Sequence, residues 1–140
     1  MAYWLMKSEP DVYSFDDLIA QSEGTWDGVR NHAAALHLKS MQVGDQALFY
    51  HSNIGKEAVG VMTISATAIP DPTEPEGTRW VAVKVKPLAR LKAPVTLAAI
   101  KGSEALAEMA MIRQSRLSVA PVRDSEWAHL MEMAGGTVPL

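Results

Sequence analysis

The chain of 140 residues is long enough for one domain with its own hydrophobic core, which we expect to span residues 1–136, followed by a short tail over residues 137–140. With 48% hydrophobic and 21% charged residues, it has an ordinary globular composition, and no apolar run is long enough to cross a bilayer. The formal net charge of -3 argues against a protein that coats nucleic acid by bulk electrostatics. The lack of cysteine excludes disulfides and thiolate metal sites, and we expect a cytoplasmic location, or a nuclear one in a eukaryote.

Hydrophobic periodicity and turn residues divide the chain into short strands and helices. The expected strands cover residues 3–9, 46–51, 57–69 and 79–88, with a last one entered at Val119. The expected helices cover residues 15–21, 31–41, a short segment from Thr96, 106–112 and 126–134. These elements do not alternate regularly, which argues against a doubly wound parallel sheet and predicts an α+β fold with a curved sheet or partial barrel.

Several local signals set the element boundaries. Ser14, with Asp17 three residues later, predicts a capping box at the start of the first helix. Asn31 is suited to cap the second helix, and Gly60 inside a long strand predicts a bend or bulge. The segment 70–77 holds three prolines among acidic residues, so we expect an exposed connection without regular structure.

Residues 25–31, which read TWDGVRN, hold more recognition chemistry than any other window of the chain. Trp26 offers a flat stacking face, Arg30 and Asn31 offer hydrogen-bond donors, and Gly28 permits close approach of a ligand to the backbone. The alternative is that Trp26 only fills the core. We expect this stretch to be a loop between the first two helices, which leaves both interpretations open.

Four segments taken together resemble the EVE domain family. In order they are YWLMKSEP (residues 3–10), WDGVRN (26–31), FYHSN (49–53) and RQSRLSV (113–119). The resemblance covers about residues 2 to 135. It implies a PUA-like fold, in which a curved, mostly antiparallel sheet closes into a pseudo-barrel flanked by short helices. It also implies a pocket for a modified nucleobase, so the expected partner is DNA or RNA that carries such a base.

The residues explain how such a pocket would work. Single bases are held by stacking on aromatic faces and by hydrogen bonds to their edges, so Trp26 is the expected wall. The predicted ligand-binding residues are Lys7, Ser8, Trp26, Gly28, Val29, Arg30, Asn31, Tyr50, His51, Ser52, Arg116, Leu117 and Ser118. We expect Arg116 either to hold a flanking phosphate or to pair with Asp27 or Glu9.

Strand alternation constrains these predictions. Phe49 and Tyr50 point to opposite faces of one strand, so at most one of them faces the pocket. Some ASCH proteins resemble this fold and act as amidohydrolases on acetylated cytidine, which makes Lys7, Ser8 and Glu9 an alternative catalytic set. A regular strand separates Ser8 from the other two side chains, so an ion pair between Lys7 and Glu9 at the pocket mouth is the favoured interpretation.

No metal, cofactor or membrane partner is expected. The four histidines include no His-Glu-x-x-His pattern, and the spacing of His32 and His37 does not place both rings on one helical face. The chain has no glycine-rich phosphate-binding fingerprint either. Sequence analysis therefore favours a binding module for nucleic acid over an enzyme.

Overall fold

The computed structural model describes residues 1–76 and 79–140. Its helices, numbered in chain order, are α1 (Phe15–Gln21), α2 (His32–Ser40), α3 (Leu97–Lys101), α4 (Ala110–Arg113) and α5 (Asp124–Ala134). Its strands are β1 (Tyr3–Ser8), β2 (Gly24–Trp26), β3 (Gln46–His51), β4 (Glu57–Pro70), β5 (Val81–Thr96), β6 (Val119–Val122) and β7 (Thr137–Val138). A turn of 3-10 helix at Glu104–Leu106 lies between α3 and α4.

The strands form one mixed sheet in the order β2-β5-β4-β3-β1-β6, and β7 pairs with β5. Only β1 and β3 run parallel among the pairs described, so the predicted α+β class with a mostly antiparallel sheet is confirmed. The predicted closure into a pseudo-barrel needs correction. The outer strands, β2 and β6, have three and four residues, and within the described residues no ladder joins them, so the sheet is open.

Each face of the sheet carries its own hydrophobic core. Alternation along the strands sends Phe49 to the face covered by α1 and α2, and Tyr50 to the face covered by α3, α4 and α5. The predicted opposite orientation of these two rings is therefore confirmed. We call the core around Phe49 the first core and the core around Tyr50 the second core.

The start of α1 follows from its sequence. The Ser14 hydroxyl accepts a hydrogen bond from the Asp17 amide, and the Asp17 carboxylate accepts one from the Ser14 amide, which completes the predicted capping box. The first helical residue, Phe15, packs over Gly60 of β4. A Cβ at Gly60 would lie 2.3 Å from the Phe15 ring, and the β4–β5 register shifts beside it, so the predicted bulge is also confirmed.

Four elements differ from the sequence predictions. The helix expected over residues 106–112 is replaced by the turn of 3-10 helix at Glu104–Leu106 and the separate helix α4 at Ala110–Arg113. Gly24–Trp26 is a strand paired with β5, where a loop was expected from Thr25 onward. The strand expected to end near residue 88 continues to Thr96, because Pro87 and Pro94 lie at shifts in the β4–β5 ladder, where a missing N–H breaks no regular pairing. Thr137–Val138, expected to be part of a tail, pairs with β5.

Candidate functional site

A cleft of about 580 Å³ opens where the ends of β1 and β2 meet α1 and the loop before it. Its lining residues are Lys7, Ser8, Val12, Tyr13, Gln21, Glu23, Gly24, Thr25, Trp26 and Asp27. Three of the predicted site residues, Lys7, Ser8 and Trp26, are therefore brought together. Lys7 and Ser8 are the last two residues of β1, and both line the cleft at the end of this strand.

Trp26 forms a rigid wall of this cleft. Only 6% of its surface is exposed, and its ring meets Phe49 edge-on at 5.2 Å and Tyr13 at 6.3 Å between centroids. Its indole N–H has no hydrogen-bond partner within the described residues, yet no side-chain nitrogen or oxygen there is both buried and unpaired. The N–H is therefore accessible to solvent, on a residue that lines the cleft. Trp26 fills the core with its ring and keeps its polar edge available to a ligand.

The end of β1 is held by hydrogen bonds to its surroundings. The Lys7 Nζ atom donates to the Ser115 carbonyl at 2.9 Å, and burial lowers the pKa of Lys7. The Ser8 hydroxyl donates to the Tyr13 carbonyl at 2.6 Å. Within the described residues no ion pair joins Lys7 to Glu9, so the favoured ion-pair interpretation was wrong.

Asp27 supplies a carboxylate at the cleft, a position that the sequence analysis did not include among the ligand-binding residues. Burial raises the pKa of Asp27, and the charge of Asp71 raises it further, while its own amide and Arg30 oppose the shift. Tyr13 lies within the electrostatic reach of this carboxylate, because burial and then the charges of Asp17 and Asp27 raise the Tyr13 pKa. Asp27 is therefore a carboxylate at the cleft whose pKa lies above its ordinary value.

Asp71 fixes the backbone beyond Asp27. It is 1% exposed and accepts hydrogen bonds from the Gly28 amide at 2.8 Å, from Arg30 Nη1 at 3.0 Å and from the Thr73 amide and hydroxyl at 2.7 and 2.6 Å. Burial alone would raise its pKa, but the hydrogen bonds from Thr73, Arg30 and Gly28 outweigh burial and lower it to about 2. Asp71 is therefore a buried anion that ties the predicted recognition stretch to the start of the next loop.

The burial of Asp71 corrects the prediction of an exposed connection over residues 70–77. Its neighbours Pro70, Pro72 and Thr73 are exposed as expected, and Gly77 lies outside the described residues. The side chain of Asp71 points inward because two of its hydrogen-bond partners, Gly28 and Arg30, lie more than 40 residues earlier in the chain. Local composition carries no signal for such a contact.

The EVE domain family model matches residues 2–133. The chain belongs to the EVE domain family. Human thymocyte nuclear protein 1 is 31% identical over 165 residues, which cover 94% of this chain and 73% of that protein.

Solved structures agree with this assignment. An NMR structure from Rhodopseudomonas palustris shares 50% identity with a TM-score of 0.90, covering 96% of this chain and 94% of that one. The crystal structure of human THYN1 protein in complex with 5-methylcytosine-containing DNA shares 30% identity with a TM-score of 0.89, covering 96% and 98% of the two chains. An ASCH structure from Zymomonas mobilis, at 13% identity and a TM-score of 0.57, shares the fold alone.

In this EVE domain, several predicted site residues have structural roles. Asn31 accepts a hydrogen bond from the Ala34 amide at 3.0 Å, which confirms it as the cap of α2. Gly28 has a φ of +74°, a conformation that favours glycine, and Val29 is buried in the first core. Arg30 is committed to Asp71, as described above.

Four more predicted residues support the cleft from behind and do not line it. His51 Nε2 accepts a hydrogen bond from the Phe15 amide at 3.1 Å, and burial lowers the His51 pKa. The Ser52 amide donates to the Ser8 carbonyl, and the Ser118 carbonyl accepts from the Lys7 amide, at 2.9 and 2.8 Å. The fourth residue, Tyr50, belongs to the second core, so these positions anchor β1 and α1, the two walls of the cleft.

A second groove of about 330 Å³ lies between the start of α2 and the segment after α4. Its lining residues are Asn31, Ala33, Arg113, Gln114, Ser115, Arg116 and Leu117. Arg116 is exposed there, and within the described residues it forms no ion pair with Asp27 or Glu9. Of the two roles predicted for Arg116, contact with a phosphate therefore stays a prediction.

Neither a metal site nor a membrane-spanning helix is found within the described residues. Within residues 1–76 and 79–140 no group of three or more His, Asp and Glu side chains is placed to hold a metal ion. No helix in the same residues has the length and apolar character required to span a membrane. The cytoplasmic location stays a prediction.

Proposed function

We propose that this EVE domain binds DNA that carries a modified cytosine and holds the modified base in the cleft beside Trp26. The observation that carries the proposal is the polar edge of Trp26, an N–H without a partner on a ring that is otherwise packed into the core. Human THYN1 protein, a member of the same family, has been solved with 5-methylcytosine-containing DNA. Both observations support a site for a base.

The size and chemistry of the cleft suit a single base. A volume of about 580 Å³ falls within the range of small-molecule sites, which is roughly 300–1,000 Å³. A base inside a duplex cannot enter such a cleft, so the target nucleotide must be flipped out of the stack or lie in a single strand. Flipping is easiest at damaged, mismatched or unpaired positions, which contributes to selectivity.

The polar groups of the cleft favour cytosine over thymine. Cytosine presents an amino group at position 4, for which a carboxylate is the natural acceptor, whereas thymine presents a carbonyl oxygen there. We assign the acceptor role to Asp27. The Trp26 N–H and the free hydrogens of the Lys7 ammonium would donate to the ring nitrogen and carbonyl oxygen of the base. Because 5-methylcytosine and thymine carry the same methyl group, Asp27 would decide between them.

The remaining predicted residues act at the borders of the cleft in this proposal. Ser8, His51, Ser52 and Ser118 hold the walls in place through the hydrogen bonds described above. The exposed Arg116 would meet a phosphate next to the flipped nucleotide, since guanidinium groups bind phosphate oxygens in paired hydrogen bonds.

A titration tests this function. Duplexes that differ at one position, which holds 5-methylcytosine, 5-hydroxymethylcytosine, cytosine or thymine opposite its Watson–Crick partner, are titrated against the protein at fixed salt, with the matching single strands and RNAs as separate series. We expect the tightest binding to a modified cytosine in DNA. Trp26→Ala, in a protein shown by circular dichroism to stay folded, should abolish that preference. Equal affinity for all four bases, unchanged by Trp26→Ala, would overturn the proposal.

A further inference from the structure

Trp80, which lies outside the cleft, is in contact with three basic side chains. The His32 ring stacks on Trp80 with 5.0 Å between centroids and 29° between planes. The guanidinium carbons of Arg30 and Arg79 each lie 5.4 Å from the centre of the same indole. We call Arg30, His32, Arg79 and Trp80 the Trp80 platform. Its members come from two distant parts of the chain, so the cluster is made by the fold.

The platform is held in place by buried and backbone contacts. Arg30 donates to the buried Asp71 at 3.0 Å and to the Thr73 hydroxyl at 2.9 Å. The amides of Arg79 and Trp80 both donate to Glu74 Oε1, at 2.9 and 3.0 Å. Because these contacts already restrict the Arg30 side chain and the backbone of Arg79 and Trp80, less conformational entropy is lost when a ligand binds to them.

The platform also keeps positive charge available to a ligand. The side chain of Arg30 is 40% exposed although it pairs with Asp71. Arg79 is exposed and forms no ion pair within residues 1–76 and 79–140. Arg30 already donates to Asp71 and Thr73, whereas the side chain of Arg79 forms no hydrogen bond within the described residues, so its in-plane donors can match the paired oxygens of a phosphate.

The location of the platform connects it to the cleft. Asp27 lines the cleft, and the amide of the next residue, Gly28, is bonded to Asp71, which also holds Arg30. The cleft itself contains the carboxylates of Glu23 and Asp27, and the whole chain has a net charge of -3. A phosphate backbone is repelled by these carboxylates, so cationic groups beside the cleft would favour the approach of nucleic acid.

We propose that the Trp80 platform is a second contact with nucleic acid, which binds the sugar–phosphate backbone of the DNA next to the base held in the cleft. This inference rests on the proposed function and divides it between two surfaces. The cleft selects the base, and the platform supplies affinity that does not depend on the base, since phosphate contacts carry no sequence information.

The experiment compares two variants that each remove one positive charge. Arg79→Gln changes the platform at an exposed side chain, and Lys101→Gln, on α3 at the opposite face of the sheet, is the matched control. The affinities of both variants and of the unaltered protein are measured from low to moderate salt for duplexes with and without 5-methylcytosine. Thermal unfolding checks that all three proteins are equally folded.

We expect Arg79→Gln to weaken binding to both duplexes by the same factor. The slope of log affinity against log salt should become shallower by about 0.9, the value for one lost phosphate contact on duplex DNA. Lys101→Gln should leave both quantities unchanged. A slope for Arg79→Gln equal to that of Lys101→Gln would overturn the inference.

The two proposals fail in different ways. If the unaltered protein binds both duplexes equally while Arg79→Gln still lowers the slope, the reader function is wrong and the backbone contact stands. If the preference for 5-methylcytosine is present but Arg79→Gln behaves like Lys101→Gln, only the platform is wrong. Absence of binding to any of the duplexes at low salt would overturn both.

Discussion

Two corners of the first core each combine a buried tryptophan with an aspartate. In one corner the indole N–H is bonded to the aspartate, and in the other it is not. Trp4 and Trp26 are both 6% exposed. The Trp4 N–H donates to Asp45 at 3.0 Å, and Asp45 also accepts from the amides of Ala2 and Gln42. The Trp26 N–H has no such partner, and the neighbouring Asp27 reaches the cleft. We call these the closed corner and the open corner.

The pKa values of the two carboxylates follow this difference. Burial alone would raise the pKa of Asp45, but the hydrogen bonds from Gln42, Trp4 and Ala2 and the charge of the N-terminus lower it overall. For Asp27, burial raises the pKa and the charge of Asp71 adds to the effect. Equal burial of an indole therefore does not identify its role. The hydrogen-bond partner does: a satisfied N–H stabilises the fold, and an unpaired one is available to a ligand.

The largest predicted effect is a difference in stability between variants of the two tryptophans. Trp4→Phe leaves a buried carboxylate without one of its donors, whereas Trp26→Phe removes an N–H that has no partner. The loss of ring volume is the same in both variants, and a hydrogen bond to a charged group contributes about 1.5–3 kcal/mol. We expect urea denaturation to give a free energy of unfolding lower by about that amount for Trp4→Phe than for Trp26→Phe. An equal loss of unfolding free energy in the two variants would contradict the distinction between the closed corner and the open corner.

A second prediction concerns Asp71, which holds the rim of the open corner. Its folded pKa of about 2 lies below the ordinary value of 3.8, so its charge stabilises the fold above pH 4, and this contribution is lost as the pH falls towards 2. The shift corresponds to about 2 kcal/mol. In urea denaturation the stability difference between the unaltered protein and Asp71→Asn should shrink from pH 6 to pH 2.5. A constant difference over that range would show that the charge of Asp71 does not contribute.

The third and smallest effect tests the selectivity assigned to Asp27. Asp27→Asn keeps the shape of the side chain but offers the base an amide that can either accept or donate. We expect the preference for 5-methylcytosine over thymine to fall by about tenfold, since one good contact to a base edge contributes about 1–3 kcal/mol of discrimination. Fluorescence anisotropy with the two duplexes measures this ratio. Asp45→Asn, in the closed corner, serves as the control and should leave the ratio unchanged, although it lowers stability.

Much of the fold could be predicted where local signals were complete. The capping residues of α1 and α2 placed both helices, because Ser14, Asp17 and Asn31 bond to amides within three residues. The strand bulge at Gly60 was also predicted. By contrast, β2 is three residues long and exists only because it pairs with β5, so its own sequence looked like a loop.

The candidate site was predicted only in part for the same reason. Trp26, Lys7 and Ser8, which residue chemistry and the family resemblance predicted as site residues, line the cleft. Asp71 was missed because its burial depends on Gly28 and Arg30, far away in the chain. The cluster around Trp80 was missed because its basic side chains come from two distant parts of the chain. Contacts of this kind become visible only in the folded structure.

The most direct measurement of the central claim follows the indole N–H signals of Trp4 and Trp26 by NMR in ¹⁵N-labelled protein during titration with DNA. If Trp26 presents its polar edge to a modified base, its indole signal should shift with the 5-methylcytosine duplex and shift far less with the unmodified duplex, while the Trp4 signal stays in place. A protein that binds the 5-methylcytosine duplex with no change at the Trp26 indole, or with equal changes at both indoles, would contradict the account.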